Sequence, residues 1–144
     1  MHDKRSIEVK MNMVENPQVS LAELRQFAAE GKWELVDQNL PALCNDSQTI
    51  EWSLHEGINA PDGNIRDLSV TILEFSDYVL NPEDKEKLID RLQNDENLYV
   101  RYRAAFALYK RGNRSPEVMS KMKEALFDDD VKAIVEGYLL QKDG

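Results

Sequence analysis

The chain repeats itself at an offset of about 34 residues, and this repeat limits its fold more than any other feature of the sequence. An offset of 34 aligns PEDKEKLIDRL (82–92) with PEVMSKMKEAL (116–126), and an offset of 35 aligns IRDLSVTIL (65–73) with VRYRAAFAL (100–108). A third copy of the latter segment, VKAIVEGYL, occupies 131–139. Apolar residues recur in these segments at spacings of three and four, which is typical of helices. Two helices per period predict an all-α stack of antiparallel helix pairs that share one core.

The same pattern predicts the domain organisation. Each repeat consists of a first helix (A), a short acidic loop and a second helix (B), and the repeats span about 47–80, 82–113 and 116–142. A diverged helical pair at 20–44 precedes them. We therefore expect a single helical repeat domain over 20–144. Residues 1–19 are an N-terminal arm whose periodicity fits a strand, a helix or an extended segment.

The stretch DENLYVRYRAAFAL (95–108) strongly resembles the HEAT-like repeat family, which includes HEAT and PBS-lyase HEAT-like repeats. The resemblance rests on an acidic loop followed by Val-Arg, Ala-Ala and Leu, and it covers about 47–142. It implies an α-α superhelix in which the B helices line the concave surface. Family members include DNA glycosylases with a basic groove and phycobilin lyases, but the acidic neighbouring helices disfavour the first and nothing indicates a bilin pocket.

Polar residues beside the B helices are expected to hold the repeats together. Four loop residues have a side-chain oxygen with which to cap a B helix, namely Asp62, Asp95, Asn97 and Asp128. Arg66 and Arg101 occupy equivalent positions in two repeats. We expect both arginines to pair with loop carboxylates of the adjacent repeat, which is a structural role.

The composition narrows the choice of partner and compartment. The formal net charge is −9. Binding to nucleic acid requires clustered cations, so this charge disfavours a nucleic-acid partner and favours a basic protein as the partner. The single cysteine, Cys44, cannot form an internal disulfide, and no stretch is apolar enough to span a bilayer or serve as a signal peptide. These features predict a cytoplasmic protein that does not enter a membrane.

One face of the B helices stands out when equivalent positions are compared. In the first repeat, the side opposite the apolar stripe is polar and therefore expected to contact solvent: Asn64, Asp67, Thr71 and Glu74. In the second repeat the equivalent positions form what we call the aromatic face: Tyr99, Tyr102, Phe106 and Tyr109. The third repeat has Asp130, Ala133, Gly137 and Leu140 there.

An exposed aromatic face predicts a binding patch, because aromatic residues are enriched in the cores of protein interfaces. Arg103 and Lys110 flank it, and Asp67, Glu74 and Asp130 add the opposite charge on either side. The alternative is that the aromatic face is buried against residues 1–19 or against a second copy in a homodimer.

The acidic loops form a second candidate surface, the acidic loop edge: Asp62, Asp95, Glu96, Asp128, Asp129 and Asp130. Such an edge would speed the approach of a basic protein. The stretch FDDDVK (127–132) lacks the alternate spacing and closing Glu of a calcium loop, so no metal site is expected.

Catalytic motifs are missing from the sequence. His55 is assigned to capping a helix end and Cys44 to a small buried apolar role. No phosphate loop, metalloprotease motif or nucleophile elbow is present, so we expect neither an enzyme nor a cofactor.

Together these features predict a non-enzymatic, HEAT-like protein-binding module. Its partner-binding residues are expected on the aromatic face, its flanks and the acidic loop edge: Tyr99, Tyr102, Arg103, Phe106, Tyr109, Lys110, Asp67, Glu74, Asp128, Asp129 and Asp130. An inhibitor or immunity protein that neutralises a basic toxin fits this description, and a scaffold or regulatory adaptor is the alternative.

Overall fold

The computed structural model describes residues 19–141, and within this range it contains helices and no strands. Its eight α-helices are α1 (Leu21–Ala29), α2 (Trp33–Leu43), α3 (Ser47–His55), α4 (Gly63–Phe75), α5 (Pro82–Asn94), α6 (Leu98–Lys110), α7 (Pro116–Ala125) and α8 (Lys132–Leu140). A short 3-10 helix, Gly57–Asn59, lies between α3 and α4. The all-α prediction is confirmed. Most of the predicted N-terminal arm lies outside the described residues.

Side-chain caps explain where most of these helices begin. The N-cap side chain accepts a backbone hydrogen bond at six helices, through Ser20, Asp46, Asp62, Asn81, Asn97 and Ser115. The predicted caps of the second helices are thus confirmed for Asp62 and Asn97. They are wrong for Asp95, which is the C-cap of α5, and for Asp128, because α8 begins after Val131 without a side-chain cap.

Helices that follow each other in the chain contact each other as α1/α2, α3/α4, α5/α6 and α7/α8. The most extensive contact between helices joins α4 to α6, the B helices of the first two repeats. Helix α6 also contacts α5, α7 and α8, and α4 also contacts α1, α2 and α3. Helices α4 and α6 are therefore the central helices of the described part of the chain.

The apolar core divides into two clusters around these central helices. The larger cluster joins α3 to α8 and is centred on α6, where Val100, Ala104, Ala105 and Leu108 are buried. The smaller cluster packs α1 and α2 against the other side of α4, through Leu68 and Ile72. The diverged N-terminal pair therefore covers a side of α4 that α6 does not cover.

A buried ion pair links two consecutive repeats as the sequence predicts. Arg66 on α4 donates from Nε and Nη2 to both carboxylate oxygens of Asp95, at 2.8 and 3.0 Å. Its Nη1 also donates to the carbonyls of Ala60 and Pro61. The equivalent prediction for Arg101 is wrong, since this side chain forms no ion pair with a described residue and its buried Nε has no hydrogen-bond partner there.

Candidate protein-binding surface

The middle of the side of α4 and α6 on which a binding patch was predicted lies inside the molecule, whereas Asn64, Tyr99 and Tyr109 at its ends are half-buried. Asp67, Thr71 and Glu74 are 0% exposed, and Tyr102 and Phe106 are 3% and 0% exposed. The prediction that this side contacts solvent is therefore wrong for both helices. The reason is their central position, because each has helices packed around it and only a terminal unit leaves such a side open.

A buried polar cluster replaces the expected binding patch. Arg103 on α6 donates from Nη1 to Oε1 of Glu74 on α4 at 2.9 Å, and both side chains are at most 2% exposed. The hydroxyl of Tyr138 on α8 donates to the other carboxylate oxygen of Glu74. Burial raises the pKa of Tyr138, and the nearby negative charge of Glu74 raises it further. This cluster ties α4, α6 and α8 together at one carboxylate.

The other polar residues of this side also have partners within the chain. The Thr71 hydroxyl donates to Asp67 Oδ1 at 3.1 Å. Lys110 is exposed, and its Nζ donates to the backbone carbonyl of Glu74 at 2.9 Å. The charges that were expected to meet a partner's charges thus stabilise α4 and the end of α6.

The tyrosines of α6 are also engaged in intramolecular contacts. The half-buried Tyr99 donates its hydroxyl to Asp130 Oδ2. Burial, aided by the carboxylate of Glu124, raises the pKa of Tyr102 to about 12. Tyr109 is half-buried, with the Arg114 guanidinium 3.5 Å from its ring centroid. The predicted alternative, a buried aromatic face, fits these contacts, although the covering groups are α7, α8 and their loop.

Three of the four residues on the equivalent side of the third repeat are exposed as predicted, and the fourth, Asp130, is half-buried and accepts the hydrogen bond from Tyr99. On α8 the equivalent side has Ala133, Gly137 and Leu140, and all three are exposed. Leu140 reaches 81% exposure. The side that is mostly buried in α4 and α6 is therefore mostly exposed in α8, the last described helix.

The acidic loop edge is partly exposed. Asp62, Glu96 and Asp129 are exposed, whereas Asp128 and Asp130 are half-buried. Asp95 is 4% exposed and belongs to the ion pair with Arg66, so it is wrong as a surface residue. Three exposed carboxylates remain available to a partner along this edge.

A groove between α3 and α5, which we call the α3–α5 groove, combines apolar side chains with several carboxylates. It encloses about 260 Å³. Its floor is apolar, from Ile50 and Leu54, and its walls carry Glu51, Glu83 and Asp84. The sequence reasoning missed this groove, because it compared only the B helices.

The electrostatics of the groove come from carboxylates that project from two helices. Glu51 and Glu83 are exposed, and Asp84 lies deeper, where it accepts a hydrogen bond from the Tyr78 hydroxyl at 3.4 Å. The charge of Asp84 raises the pKa of that phenol, and Glu51 adds to the effect. Lys87 lines the groove too, but its Nζ donates to the Leu54 carbonyl at 3.0 Å.

The spacing of acidic residues on α5 is the sequence feature that could have indicated the groove. Glu83, Glu86 and Asp90 recur at helical spacing on α5, and all three are exposed. A helical wheel drawn for the A helices would therefore have identified an acidic outer side. The partner across the groove, Glu51, becomes visible only when α3 and α5 are placed side by side.

Cys44 and His55 do not form a catalytic pair. Cys44 is fully buried, and this burial raises the pKa of its thiol to about 11, which disfavours the nucleophilic thiolate. The predicted small buried role of Cys44 is thus confirmed. His55 is exposed with its Nε2 3.6 Å from Glu51 Oε1, and among the described residues it makes no capping hydrogen bond.

The described residues contain neither a candidate metal site nor a candidate membrane-spanning helix. No group of three or more His, Cys, Asp or Glu side chains in residues 19–141 has an arrangement that could hold a metal ion. None of the helices in the same range combines the length and apolar character needed to cross a membrane.

Comparison of the chain with protein-family models, with curated proteins and with solved structures gave no match.

Proposed function

We propose that this chain is a protein-binding module that recognises a basic segment of its partner in the α3–α5 groove. The observation that carries the proposal is the convergence of Glu51, Glu83 and Asp84 on an apolar floor. An arginine side chain matches this environment, because its aliphatic stem can lie on apolar groups while its guanidinium donates to carboxylates. Charge-assisted hydrogen bonds of this kind are the strong ones in protein recognition.

The charge of the whole surface supports the same kind of partner. Exposed carboxylates outnumber exposed ammonium and guanidinium groups in the described residues, and the complete chain has a net charge of −9. A field of this sign raises the association rate of a basic protein. Glu86 extends the negative charge along α5 away from the groove, whereas the Asp90 carboxylate is paired with Arg91 at 2.7 Å.

The burial of Arg103 argues against the nucleic-acid alternative. This residue belongs to the basic stretch on which that alternative rests, and its guanidinium is 2% exposed and paired with Glu74. A phosphate backbone requires accessible Lys and Arg side chains. The exposed cations that remain are dispersed among more numerous carboxylates.

We further propose that the helix pairs form a HEAT-like stack. Support comes from the 34-residue period, from the contacts between successive helix pairs and from the ion pair between Arg66 and Asp95, which bridges two repeats. In such a stack the A helices form the outer layer, and the α3–α5 groove would lie between two successive units.

Two biological roles are compatible with such a groove. An inhibitor or immunity protein would block the active site of a basic enzyme such as a nuclease, whereas a scaffold would leave the activity of its partner unchanged. An activity assay of the captured partner, with and without this chain, would distinguish the two.

The binding proposal is tested by fluorescence anisotropy with a labelled oligoarginine peptide. The double variant Glu51→Gln and Glu83→Gln should weaken binding by about tenfold or more, since a hydrogen bond to a charged group contributes about 1.5–3 kcal/mol. The matched control is Glu117→Gln with Glu136→Gln, which changes the net charge equally at exposed sites on α7 and α8.

The control should change the dissociation constant by less than about threefold, the effect expected of distant, screened charges. Equal weakening in the two double variants would mean that the peptide senses only the net charge. That result, or absence of binding by the unmodified chain, would refute a specific groove.

A further inference from the structure

Two exposed apolar side chains lie at opposite ends of α6 in loops of different charge. Phe127, in the loop between α7 and α8, is 91% exposed, and Val79, in the loop between α4 and α5, is 85% exposed. The Phe127 loop lies at the start of α6, because Tyr99 donates to Asp130. The Val79 loop lies at the end of α6, because Arg111 donates to the carbonyls of Ser76 and Tyr78.

The surroundings of Val79 form a basic cleft of about 360 Å³. Tyr78 and Val79 supply its apolar surface, and Lys85, Lys110 and Arg111 supply positive charge. Among the described residues, no carboxylate lies within ion-pair distance of these three cations. Asp77 also lines the cleft and accepts a hydrogen bond from the Asn45 amide.

The Phe127 loop has the complementary chemistry. Phe127 is followed directly by three aspartates, of which Asp129 is exposed and Asp128 is half-buried. A large exposed aromatic side chain next to carboxylates is suited to a cleft that combines an apolar surface with cations. The two surfaces lie about 20 Å apart, the length of a helix of 13 residues, so one molecule cannot join them to each other.

We propose that the chain associates with itself head to tail, with the Phe127 loop of one copy docked in the basic cleft of the next. Phe127 then covers Val79 and Tyr78, while Asp128 and Asp129 approach Lys85 and the positive charge of Arg111, whose N–H groups donate to backbone carbonyls. Because the two surfaces differ, each copy retains one unused loop and one unused cleft, and the contact can continue into longer assemblies. The α3–α5 groove takes no part in this contact.

The test uses two variants that each remove one surface. Phe127→Ser leaves the cleft intact, and Val79→Ser leaves the loop intact. Both positions are exposed, so melting followed by circular dichroism should match the unmodified chain. Sedimentation equilibrium from about 10 µM to about 1 mM, which covers weak dissociation constants, should show association of the unmodified chain and monomers of each variant.

The decisive sample is an equimolar mixture of the two variants. The intact loop of the Val79→Ser variant can dock in the intact cleft of the Phe127→Ser variant, so the mixture should form a species of two chains and nothing larger. The control Leu140→Ser removes an equally exposed apolar side chain outside both surfaces and should associate as the unmodified chain does. A monomeric unmodified chain, association of either single variant, or a mixture without dimers would each overturn the proposal.

Discussion

The buried pair of Arg103 and Glu74 allows a quantitative test of the interior assignment. Arg103→Met preserves much of the side-chain volume but leaves the Glu74 carboxylate buried with the Tyr138 hydroxyl as its remaining side-chain donor. Removing one partner of a buried pair destabilises a protein by about 3–5 kcal/mol. This is a large part of the roughly 5–15 kcal/mol that stabilises a domain.

Urea unfolding followed by circular dichroism measures this loss. With a slope of about 2 kcal/mol per molar urea, the midpoint should fall by roughly 1.5–2.5 M. The triple variant Arg103→Met, Glu74→Met and Tyr138→Phe removes the three hydrogen-bonded groups and should recover part of the stability, since apolar replacement of a buried pair is often neutral. The recovery is incomplete because the buried Asp67 carboxylate loses the nearby charge of Arg103. The non-additivity between single and combined variants then measures the coupling.

A surface pair provides the control. Lys121 and Glu124 form an ion pair at 3.1 Å on α7, with Glu124 half exposed. Lys121→Met should cost less than about 1 kcal/mol, because solvent screens such pairs. If Arg103→Met costs no more than Lys121→Met, the cluster is not buried as described and the reasoning fails.

Three further predictions concern stability. Because the pKa of Tyr138 is raised, the folded chain keeps a phenol proton that the unfolded chain releases near pH 10. The contribution of this proton to the free energy of unfolding is therefore complete below that pH and is lost as the pH rises above it. Tyr138→Phe should therefore flatten the decline between about pH 9.5 and 11.5 in urea titrations, and an unchanged slope would contradict the assignment. Gly57→Ala should lower the melting temperature, since its Cβ would lie 1.9 Å from Ser69 Oγ. Gly137→Ala should raise the melting temperature, because no atom lies within 4 Å of the added Cβ and alanine favours a helix. Equal shifts of the two melting temperatures would contradict this packing. Asp95→Asn should destabilise by about 2–4 kcal/mol in urea, because it removes the buried charge that pairs with Arg66 and with Arg91. A loss below about 1 kcal/mol would exclude a structural role for the Asp95 carboxylate.

The helix pairs could be predicted because their signals are local. Pro82 and Pro116 recur at the first turn of two A helices, and Asp62 and Asn97 recur before two B helices. Such residues stabilise the first turn of their own helix, and this effect does not depend on how the helix packs. The pairing of Arg66 with Asp95 was predicted from an arginine that recurs at the same repeat position, yet the equivalent Arg101 forms no such pair with a described residue.

The environment of the B helices could not be predicted by the same comparison. Equivalent positions have equivalent surroundings only in a long array, and here α4 and α6 have neighbours on more sides than α8 has. Polar residues on α4 suggested contact with water, yet Glu74 is buried because Arg103 and Tyr138 supply its hydrogen bonds. These partners lie 29 and 64 residues away in the chain. A wheel of one helix contains no information about them.

The exposure of the individual tyrosines tests the central claim, that Tyr102 and Phe106 in the middle of the aromatic face are interior. The chain has five tyrosines, and native nitration with tetranitromethane followed by peptide mass spectrometry reports the accessibility of each. Tyr78, which is 37% exposed, should be modified readily, while Tyr102, 3% exposed, should react only in urea, where all five should react. Modification of Tyr102 at the rate of Tyr78 in the folded chain would contradict the account.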